Sequence, residues 1–185
     1  MPELREKSQL MSASEIERTL IHLVHEIAAK QGDLSALVLI GIRRRGVPLA
    51  ERLALLLERH AHIKVPVGTL DITLYRDDLS TLGANPVVHH SEIEFSVTGK
   101  DVLLVDDVLY TGRTARAALD ALFELGRPRR VQLCTLIDRG HRELPIEAAY
   151  VGRRIETQAN EIVEVKLREV DGEERVLLVE RVDAT

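Results

Sequence analysis

One stretch near the middle of the chain constrains the possible fold more than any other. The apolar run Val102 to Val105 ends in two acids, Asp106 and Asp107, and the run Thr111-Gly112-Arg113-Thr114 follows shortly after. A short apolar run of this kind is typical of a parallel strand that is buried on both faces. Ligands of open parallel sheets bind at the carboxyl ends of the strands, so the sequence predicts a binding site at this junction.

Strand and helix patterns alternate along most of the chain, which predicts an α/β fold with a mostly parallel sheet flanked by helices. Ser14 and Glu17 have the spacing of a capping box at the start of the first helix. The predicted strands are Leu37–Ile42, Val65–Tyr75, Val102–Val105 and Val131–Ile137, and the predicted helices cover about residues 14–30, residues 48–59 and Arg113–Leu125.

Two segments depart from this alternation. Arg76 to Val97 is long and lacks sustained periodicity, which is typical of a functional loop. Towards the end of the chain, alternating apolar residues flank Asp171-Gly172, a turn signal that predicts an antiparallel hairpin. The length of 185 residues suits one packed core, so we predict a single domain over residues 1–185.

Composition excludes several classes of protein. The net charge is −5 and aromatic residues make up 3% of the chain, so only a local basic face could bind nucleic acid. The one cysteine, Cys134, lies in an apolar run, which favours a buried and inert thiol over a nucleophile or metal ligand. We see no signal-peptide pattern and no membrane-spanning run, and we therefore expect a cytoplasmic protein with no membrane partner.

The residues that follow the central strand suit a phosphosugar. Backbone N–H groups at a helix start, helped by Thr hydroxyls and a glycine, bind phosphate, and the two acids can accept hydrogen bonds from vicinal ribose hydroxyls. A P-loop is excluded because Val47-Pro48 stands where Lys and Ser or Thr are required, and no dinucleotide-binding glycine motif occurs. The alternative is that the acids only end a strand and the threonines only cap a helix.

This run resembles the phosphoribosyl pyrophosphate (PRPP) motif of type I phosphoribosyltransferases. It resembles more closely the PyrR family, the pyrimidine operon attenuation regulators that are also uracil phosphoribosyltransferases. Three further segments resemble that family in the expected order: Asp71–Leu79, Gly126-Arg127-Pro128 and Asp138–Pro145. The resemblance implies a type I phosphoribosyltransferase fold with a C-terminal antiparallel hairpin, or hood.

The resemblance also implies a role for each part of the predicted site. Asp106 and Asp107 would bind the ribose hydroxyls and Arg76 would close over the pyrophosphate, which makes these three the expected catalytic residues. The pyrophosphate would be received by Arg43, Arg44, Arg45 and Gly46, with Arg44 where the family commonly has Thr, and the base pocket would be lined by Asp138, Arg139, Gly140 and His141. The expected PRPP-binding residues are Val102, Leu103, Leu104, Val105, Asp106, Asp107, Val108, Leu109, Tyr110, Thr111, Gly112, Arg113 and Thr114.

The implied reaction joins uracil to PRPP and gives uridine monophosphate (UMP) and pyrophosphate, through a ribosyl transition state that develops positive charge. Mg²⁺ would be the cofactor, held mainly through oxygens of PRPP rather than by a dedicated set of protein ligands. Many purine-specific relatives carry an acid, a candidate base, at the position of Tyr110, so we assign no general base. Family habit also implies a homodimer or a larger homo-oligomer.

The second activity of the family is binding of leader messenger RNA of the pyrimidine operon, promoted by uridine nucleotides. Two departures oppose it, because Glu147 stands where the family usually has Arg and Ile21-His22 replaces a common Thr-Arg pair. Two alternatives to a bifunctional protein therefore stay open: a uracil phosphoribosyltransferase that has lost RNA binding, and a non-catalytic, nucleotide-sensing RNA binder. The candidate RNA-binding residues are His25, Lys30, Arg142 and Arg153.

Overall fold

The computed structural model describes residues 2–77 and 91–183, and within these ranges the strands form two sheets. The strands are β1 (Glu3–Met11), β2 (Leu37–Ile42), β3 (Val67–Leu70), β4 (Asp101–Leu109), β5 (Arg130–Asp138), β6 (Tyr150–Arg154), β7 (Glu161–Lys166) and β8 (Arg175–Val182). The helices are α1 (Ala13–Gln31), α2 (Gly46–Ala61), α3 (Arg113–Leu125) and α4 (Arg168–Asp171), and Thr73–Tyr75 forms a 3₁₀ turn.

The larger sheet is parallel throughout, with the strand order β3-β2-β4-β5-β6. The smaller one is antiparallel, with the order β1-β8-β7, and we call it the hood sheet. This arrangement confirms the predicted α/β class and the antiparallel addition formed by the C-terminal hairpin.

Side chains alternate along the central strands, so the parallel sheet has two covered faces. Leu39 of β2 and Leu103 of β4 pack with α1 and α2 on one face, whereas Val38 and Leu104 pack with α3 on the other. Burial on both faces explains the continuous apolar runs in the sequence. The edge of the sheet that carries the polar residues is therefore held by a packed core on each side.

The capping box of α1 lies earlier in the chain than predicted. Ser12 is the N-cap, because Glu15 N donates to Ser12 Oγ and Ser12 N donates to the Glu15 carboxylate, each at 3.3 Å. Ser14 and Glu17 have the same spacing, so spacing alone did not decide between the two pairs. β1 ends at the buried residue Met11, so Ser12 is the first residue available to cap α1.

Two predicted strands have different bounds in the structure. The strand predicted over Val65–Tyr75 ends at Leu70, because the Asp71 carboxylate accepts hydrogen bonds from Thr73 N at 2.9 Å and Thr73 Oγ1 at 2.7 Å and so starts the 3₁₀ turn. β4 runs beyond Val105 to Leu109, since it stays paired with β5 along this length. The two acids therefore lie within β4 rather than after it.

Sequence patterns did not predict β1 or β6. The outer part of β1 is charged and exposed, and it forms a strand because it pairs with β8. β6 is a short edge strand that contains Gly152 and two arginines. The predicted hairpin is confirmed, although its turn is the short helix α4 followed by Gly172, which has a φ of 72°.

Candidate functional site

The carboxyl edge of the parallel sheet brings the predicted segments together around one cleft. β2 leads into the basic loop Arg43–Gly46, β4 into the turn Tyr110–Gly112, and β5 into Arg139–His141. The cleft has a volume of about 510 Å³. Its lining residues are Arg43, Arg44, Arg45, Asp71, Ile72, Thr73, Arg76, Asp106, Asp107, Val108 and Thr114.

The two acids of β4 lie side by side at the floor of this cleft. Asp107 N donates to Asp106 Oδ1 and Val108 N donates to Asp107 Oδ1, each at 2.9 Å. Burial raises the pKa of Asp106 well above its usual range, and the neighbouring charge of Asp107 raises it further. A carboxyl group with a raised pKa in a cleft, such as that of Asp106, is typical of a functional site.

The turn after β4 and the N-terminus of α3 form a small concave site. Gly112 caps α3 with a φ of 94°, a left-handed conformation that suits glycine. Thr111 Oγ1 accepts a hydrogen bond from Arg113 N at 3.3 Å. The turn, Thr114 and Asp106 line a cavity of about 80 Å³. The first backbone N–H groups of a helix lack partners within the helix, so the N-terminus of α3 can bind an anion such as phosphate at this site.

Two glycines let the basic loop pack directly on β4. A Cβ atom on Gly41 would lie 2.5 Å from the Gly46 carbonyl oxygen, and one on Gly46 would overlap the Val105 carbonyl oxygen. Gly41 and Gly46 also have the spacing of the two glycines of a P-loop, and here that spacing serves backbone packing. This packing brings the N-terminus of α2 and the loop arginines to the side of the cleft that faces the two acids.

The three arginines of the basic loop differ in their surroundings. Arg43 and Arg44 are exposed beside the cleft. Arg45 forms a bidentate pair with Asp171 of α4, with Nη2–Oδ1 at 2.7 Å and Nε–Oδ2 at 3.1 Å. The hydrogen bond from Arg45 lowers the pKa of Asp171 below its usual range. The sequence did not predict this contact.

Tyr110, the first residue of the turn after β4, contacts the residues predicted to line the base pocket. The guanidinium of Arg139 lies 3.9 Å from the centre of the Tyr110 ring, and the His141 ring meets the same ring edge-on at a centroid distance of 5.6 Å. Arg139 is buried, which lowers the pKa of its guanidinium, and its Nε donates to Thr157 Oγ1 at 3.2 Å. These contacts hold Tyr110, Arg139 and His141 together beside the turn.

Arg142, which is predicted to bind RNA, contacts the turn after β4 and the end of β5. Its Nη1 donates to the Tyr110 carbonyl at 2.6 Å, its Nη2 to Asp138 Oδ2 at 2.8 Å and its Nε to the Ile146 carbonyl at 2.7 Å. Glu147, the residue that departs from the family pattern, forms an ion pair with Arg142, with Oε1 3.2 Å from Nε. The spacing of Asp138 and Arg142, four residues apart, was the sequence signal that could have indicated this pair.

Arg76 is exposed and lines the cleft. The neighbouring Asp77 accepts a hydrogen bond from Arg113 Nη1 at 2.6 Å, which connects this side of the cleft to the start of α3. Residues 78–90 of the predicted loop lie outside the described residues. Asp71 also lines the cleft and was not among the predicted site residues.

The remaining predicted RNA-binding residues lie on or beside α1. His25 and Lys30 are exposed on that helix, and Lys30 donates to Glu26 at 3.1 Å. Arg153 of β6 donates to the Leu10 carbonyl at 2.6 Å and to the carboxylate of Glu15 at 3.2 Å. These three residues are therefore grouped around the α1 side of the molecule, separate from the residues that line the cleft.

A family profile described as "Phosphoribosyl transferase domain" matches residues 7–169. The "Bifunctional protein PyrR" of Pelotomaculum thermopropionicum is 58% identical over 176 residues, which is 95% of this chain and 97% of that protein. The protein of the same name from Thermus aquaticus is 55% identical over 178 residues, which is 96% of this chain and 98% of that protein. The chain belongs to the PyrR family.

Solved structures with the same architecture include purine phosphoribosyltransferases. This PyrR-family chain matches a hypoxanthine phosphoribosyltransferase of Trypanosoma cruzi in complex with the product IMP, with a TM-score of 0.73, 20% identity and coverage of 95% of each chain. It matches a hypoxanthine-guanine phosphoribosyltransferase of Bacillus anthracis with a TM-score of 0.69, 22% identity and coverage of 96% and 99%. These matches confirm the type I phosphoribosyltransferase fold. In residues 2–77 and 91–183, no helix has the length and apolar character needed to cross a membrane.

Proposed function

We propose that this PyrR-family chain is a uracil phosphoribosyltransferase and a uridine-nucleotide-dependent, RNA-binding regulator of pyrimidine operon expression. One observation supports the enzymatic activity most directly: the basic loop, the two acids of β4 and the turn before α3 meet at one edge of the sheet. PRPP carries the three groups that these parts can bind, namely a pyrophosphate, vicinal ribose hydroxyls and a 5′-phosphate.

In this proposal each part of the cleft binds one part of PRPP. The backbone and hydroxyl groups of Tyr110–Thr114 hold the 5′-phosphate, and Asp106 and Asp107 accept hydrogen bonds from the ribose hydroxyls. The basic loop and Arg76 neutralise the pyrophosphate as it leaves. The two carboxylates also lie where positive charge develops on the ribose, so the protein contributes positioning and electrostatic stabilisation.

Phosphoribosyltransferases generally use Mg²⁺ with PRPP, and the donors at the cleft fit this ion. Asp71, Asp106 and Asp107 offer the carboxylate oxygens that Mg²⁺ prefers. Within the described ranges, no group of three or more His, Cys, Asp or Glu side chains is arranged to hold a metal ion on its own. This donor set suits an ion shared with oxygens of the bound phosphosugar. When bound, Mg²⁺ would neutralise charge on the pyrophosphate.

The enzymatic proposal is tested by following UMP formation from uracil, PRPP and Mg²⁺. Asp107→Asn and Arg113→Ala should each lower turnover by at least about tenfold without unfolding the protein, because both residues lie at the cleft or its margin rather than in the core. Asp120→Asn is the matched control, since it removes the same charge from an exposed position on α3 outside the cleft. Circular dichroism checks the fold. Wild-type turnover in both site variants would contradict the assignment.

RNA binding is assigned to the α1 side of the molecule. A shallow cavity of about 220 Å³ there is lined by Glu15, Arg18, Thr19, His22, Gly152 and Arg153, and His25 lies exposed one turn further along α1. Cations on such a face can neutralise RNA phosphates, and each cation lost should reduce the salt slope of binding by about one unit.

The RNA proposal is tested by titrating the protein into labelled leader RNA of its own pyrimidine operon, with and without UMP, across a range of salt. Binding that UMP strengthens and salt weakens supports the regulator, and Arg153→Gln should then lower the salt slope, with Arg5→Gln on the hood sheet as control. If the leader RNA binds no more tightly than an unrelated RNA, the protein is a uracil phosphoribosyltransferase that has lost regulation. If UMP promotes RNA binding but the protein does not turn over PRPP, the protein is a non-catalytic, nucleotide-sensing RNA binder.

We further propose that the chain is a single domain that works in the cytoplasm as a homodimer or a larger homo-oligomer. Pairing of two α1 faces would enlarge the basic surface available to RNA. Light scattering of the purified protein measures the assembly, and a monomer at micromolar concentration would contradict it.

A further inference from the structure

The hood sheet contacts the basic loop through the side chain of Asp171. This residue ends α4, the turn between β7 and β8, and its carboxylate binds both Nε and Nη2 of Arg45. The same carboxylate accepts a hydrogen bond from Leu167 N at 2.8 Å, which fixes its direction. The side chains of Asp171 and Arg45 are 13% and 28% exposed, so most of this ion pair is shielded from water.

Arg45 occupies a position from which it can set the shape of the basic loop. It is the N-cap residue of α2, it lines the cleft, and its carbonyl accepts a hydrogen bond from Leu49 N at 3.4 Å. Three consecutive arginines repel one another, so this loop needs a counter-charge to keep one conformation. Asp171 supplies that charge from outside the cleft, and Arg43 and Arg44 remain exposed beside it.

A second ion-pair cluster joins the same turn to the same helix but does not line the cleft. Arg52 of α2 pairs with Glu169 and Glu174, which lie on either side of Asp171 in the sequence. Because Arg52 is two turns along α2 from Arg45, this cluster docks the hood sheet without contacting the basic loop. The docking of the hood sheet and the setting of the loop can therefore be tested separately.

We infer that Asp171 is a positioning residue for the pyrophosphate part of PRPP, acting through Arg45. This inference rests on the proposed phosphoribosyltransferase activity. With Arg45 held, the loop presents Arg43, Arg44 and the N-terminus of α2 to the ligand in one arrangement. Without the ion pair between Asp171 and Arg45, the loop has to be ordered when the ligand binds. This cost weakens binding of the ground state and of the transition state equally.

The test measures KM for PRPP and kcat with uracil for the wild type, Asp171→Asn, Arg45→Lys and the double variant. Asn can still accept the hydrogen bond from Leu167 N, so Asp171→Asn removes charge while it keeps the turn. In Asp171→Asn we expect KM for PRPP to rise about fivefold to tenfold and kcat to change by less than about twofold. Inhibition by inorganic pyrophosphate should weaken by a similar factor.

The double variant shows whether Asp171 acts through Arg45. If it does, Asp171→Asn/Arg45→Lys has nearly the same KM as the single variants, because the second substitution removes a contact already lost. The control variant Glu169→Gln/Glu174→Gln removes the Arg52 pairs and should leave KM within about twofold of the wild type.

Three outcomes would overturn the inference: an unchanged or lower KM in Asp171→Asn, multiplying effects in the double variant, or an equal rise in the control variant. A wild type without turnover would overturn the proposed function and the inference together. An active wild type with any of the three outcomes would overturn the inference alone.

Discussion

Arg142→Gln should destabilise the fold by about 3 kcal/mol. The substitution removes hydrogen bonds to the carbonyls of Tyr110 and Ile146 and leaves the Asp138 carboxylate without its ion pair. Only 7% of the Asp138 side chain is exposed, so its charge stays buried with the hydrogen bond from Gly140 N at 3.0 Å. Breaking a buried pair costs about 3–5 kcal/mol, and we take the lower end because Arg142 is itself 15% exposed.

Urea unfolding followed by circular dichroism measures this loss. With a slope of about 2 kcal/mol per molar urea, a loss of about 3 kcal/mol moves the midpoint down by about 1.5 M. Arg113→Gln is the matched control, because Arg113 also pairs with two carboxylates, Asp77 and Glu143, but is 45% exposed. Exposed pairs contribute about 1 kcal/mol or less. A loss below about 1 kcal/mol in Arg142→Gln, no larger than that in Arg113→Gln, would refute the reasoning that the buried pair with Asp138 stabilises the fold.

Three further predictions concern the core of the site and its surroundings. Asp106→Asn should raise the thermal midpoint at pH 7 while turnover falls. Burial, and then the charge of Asp107, raise the pKa of Asp106 in the folded protein. The wild-type fold therefore loses stability as the pH rises through that pKa, and the Asn variant does not. The gain should vanish as pH falls to the ordinary value of 3.8, and a gain that is independent of pH would contradict this reasoning. Gly46→Ala should cost about 1–3 kcal/mol in urea unfolding and weaken PRPP binding measured by calorimetry, because the added methyl overlaps backbone that cannot move aside. Burial raises the pKa of Cys134 to about 12, so a thiol reagent at pH 8 should label this residue only after the protein is unfolded, and rapid labelling of the folded protein would show that the thiol is accessible.

The parts of the site that are continuous in sequence could be predicted. Asp106, Asp107 and the run Thr111–Thr114 lie within one strand-turn-helix unit, whose hydrophobic pattern indicates its position at the sheet edge. The bounds of α3 were also predicted correctly, because Gly126 and Pro128 mark its end. The buried state of Cys134 followed from its apolar neighbours and is confirmed.

Contacts between distant parts of the chain could not be predicted. Arg45 and Asp171 are 126 residues apart, and neither residue has a local pattern that indicates the other. β1 is charged and lacks an alternating apolar pattern, and it becomes a strand because β8 offers a free edge. Arg142 was predicted from its charge, and its contact with the Tyr110 carbonyl, 32 residues away, has no local sequence signal.

The pairing of β1 with β8 also bears on the order in which the chain folds. Glu3 lies opposite Val182, so this pair of strands closes a loop that contains nearly the whole described chain. Contacts between such distant segments form late, because loop closure must be achieved before they stabilise anything. During synthesis, every strand of the parallel sheet is made before β7 and β8, and α4 lies between those two. Every strand of the parallel sheet is thus synthesised before the carboxylate that pairs with Arg45, and the contact between the basic loop and Asp171 can form only after α4 has been made.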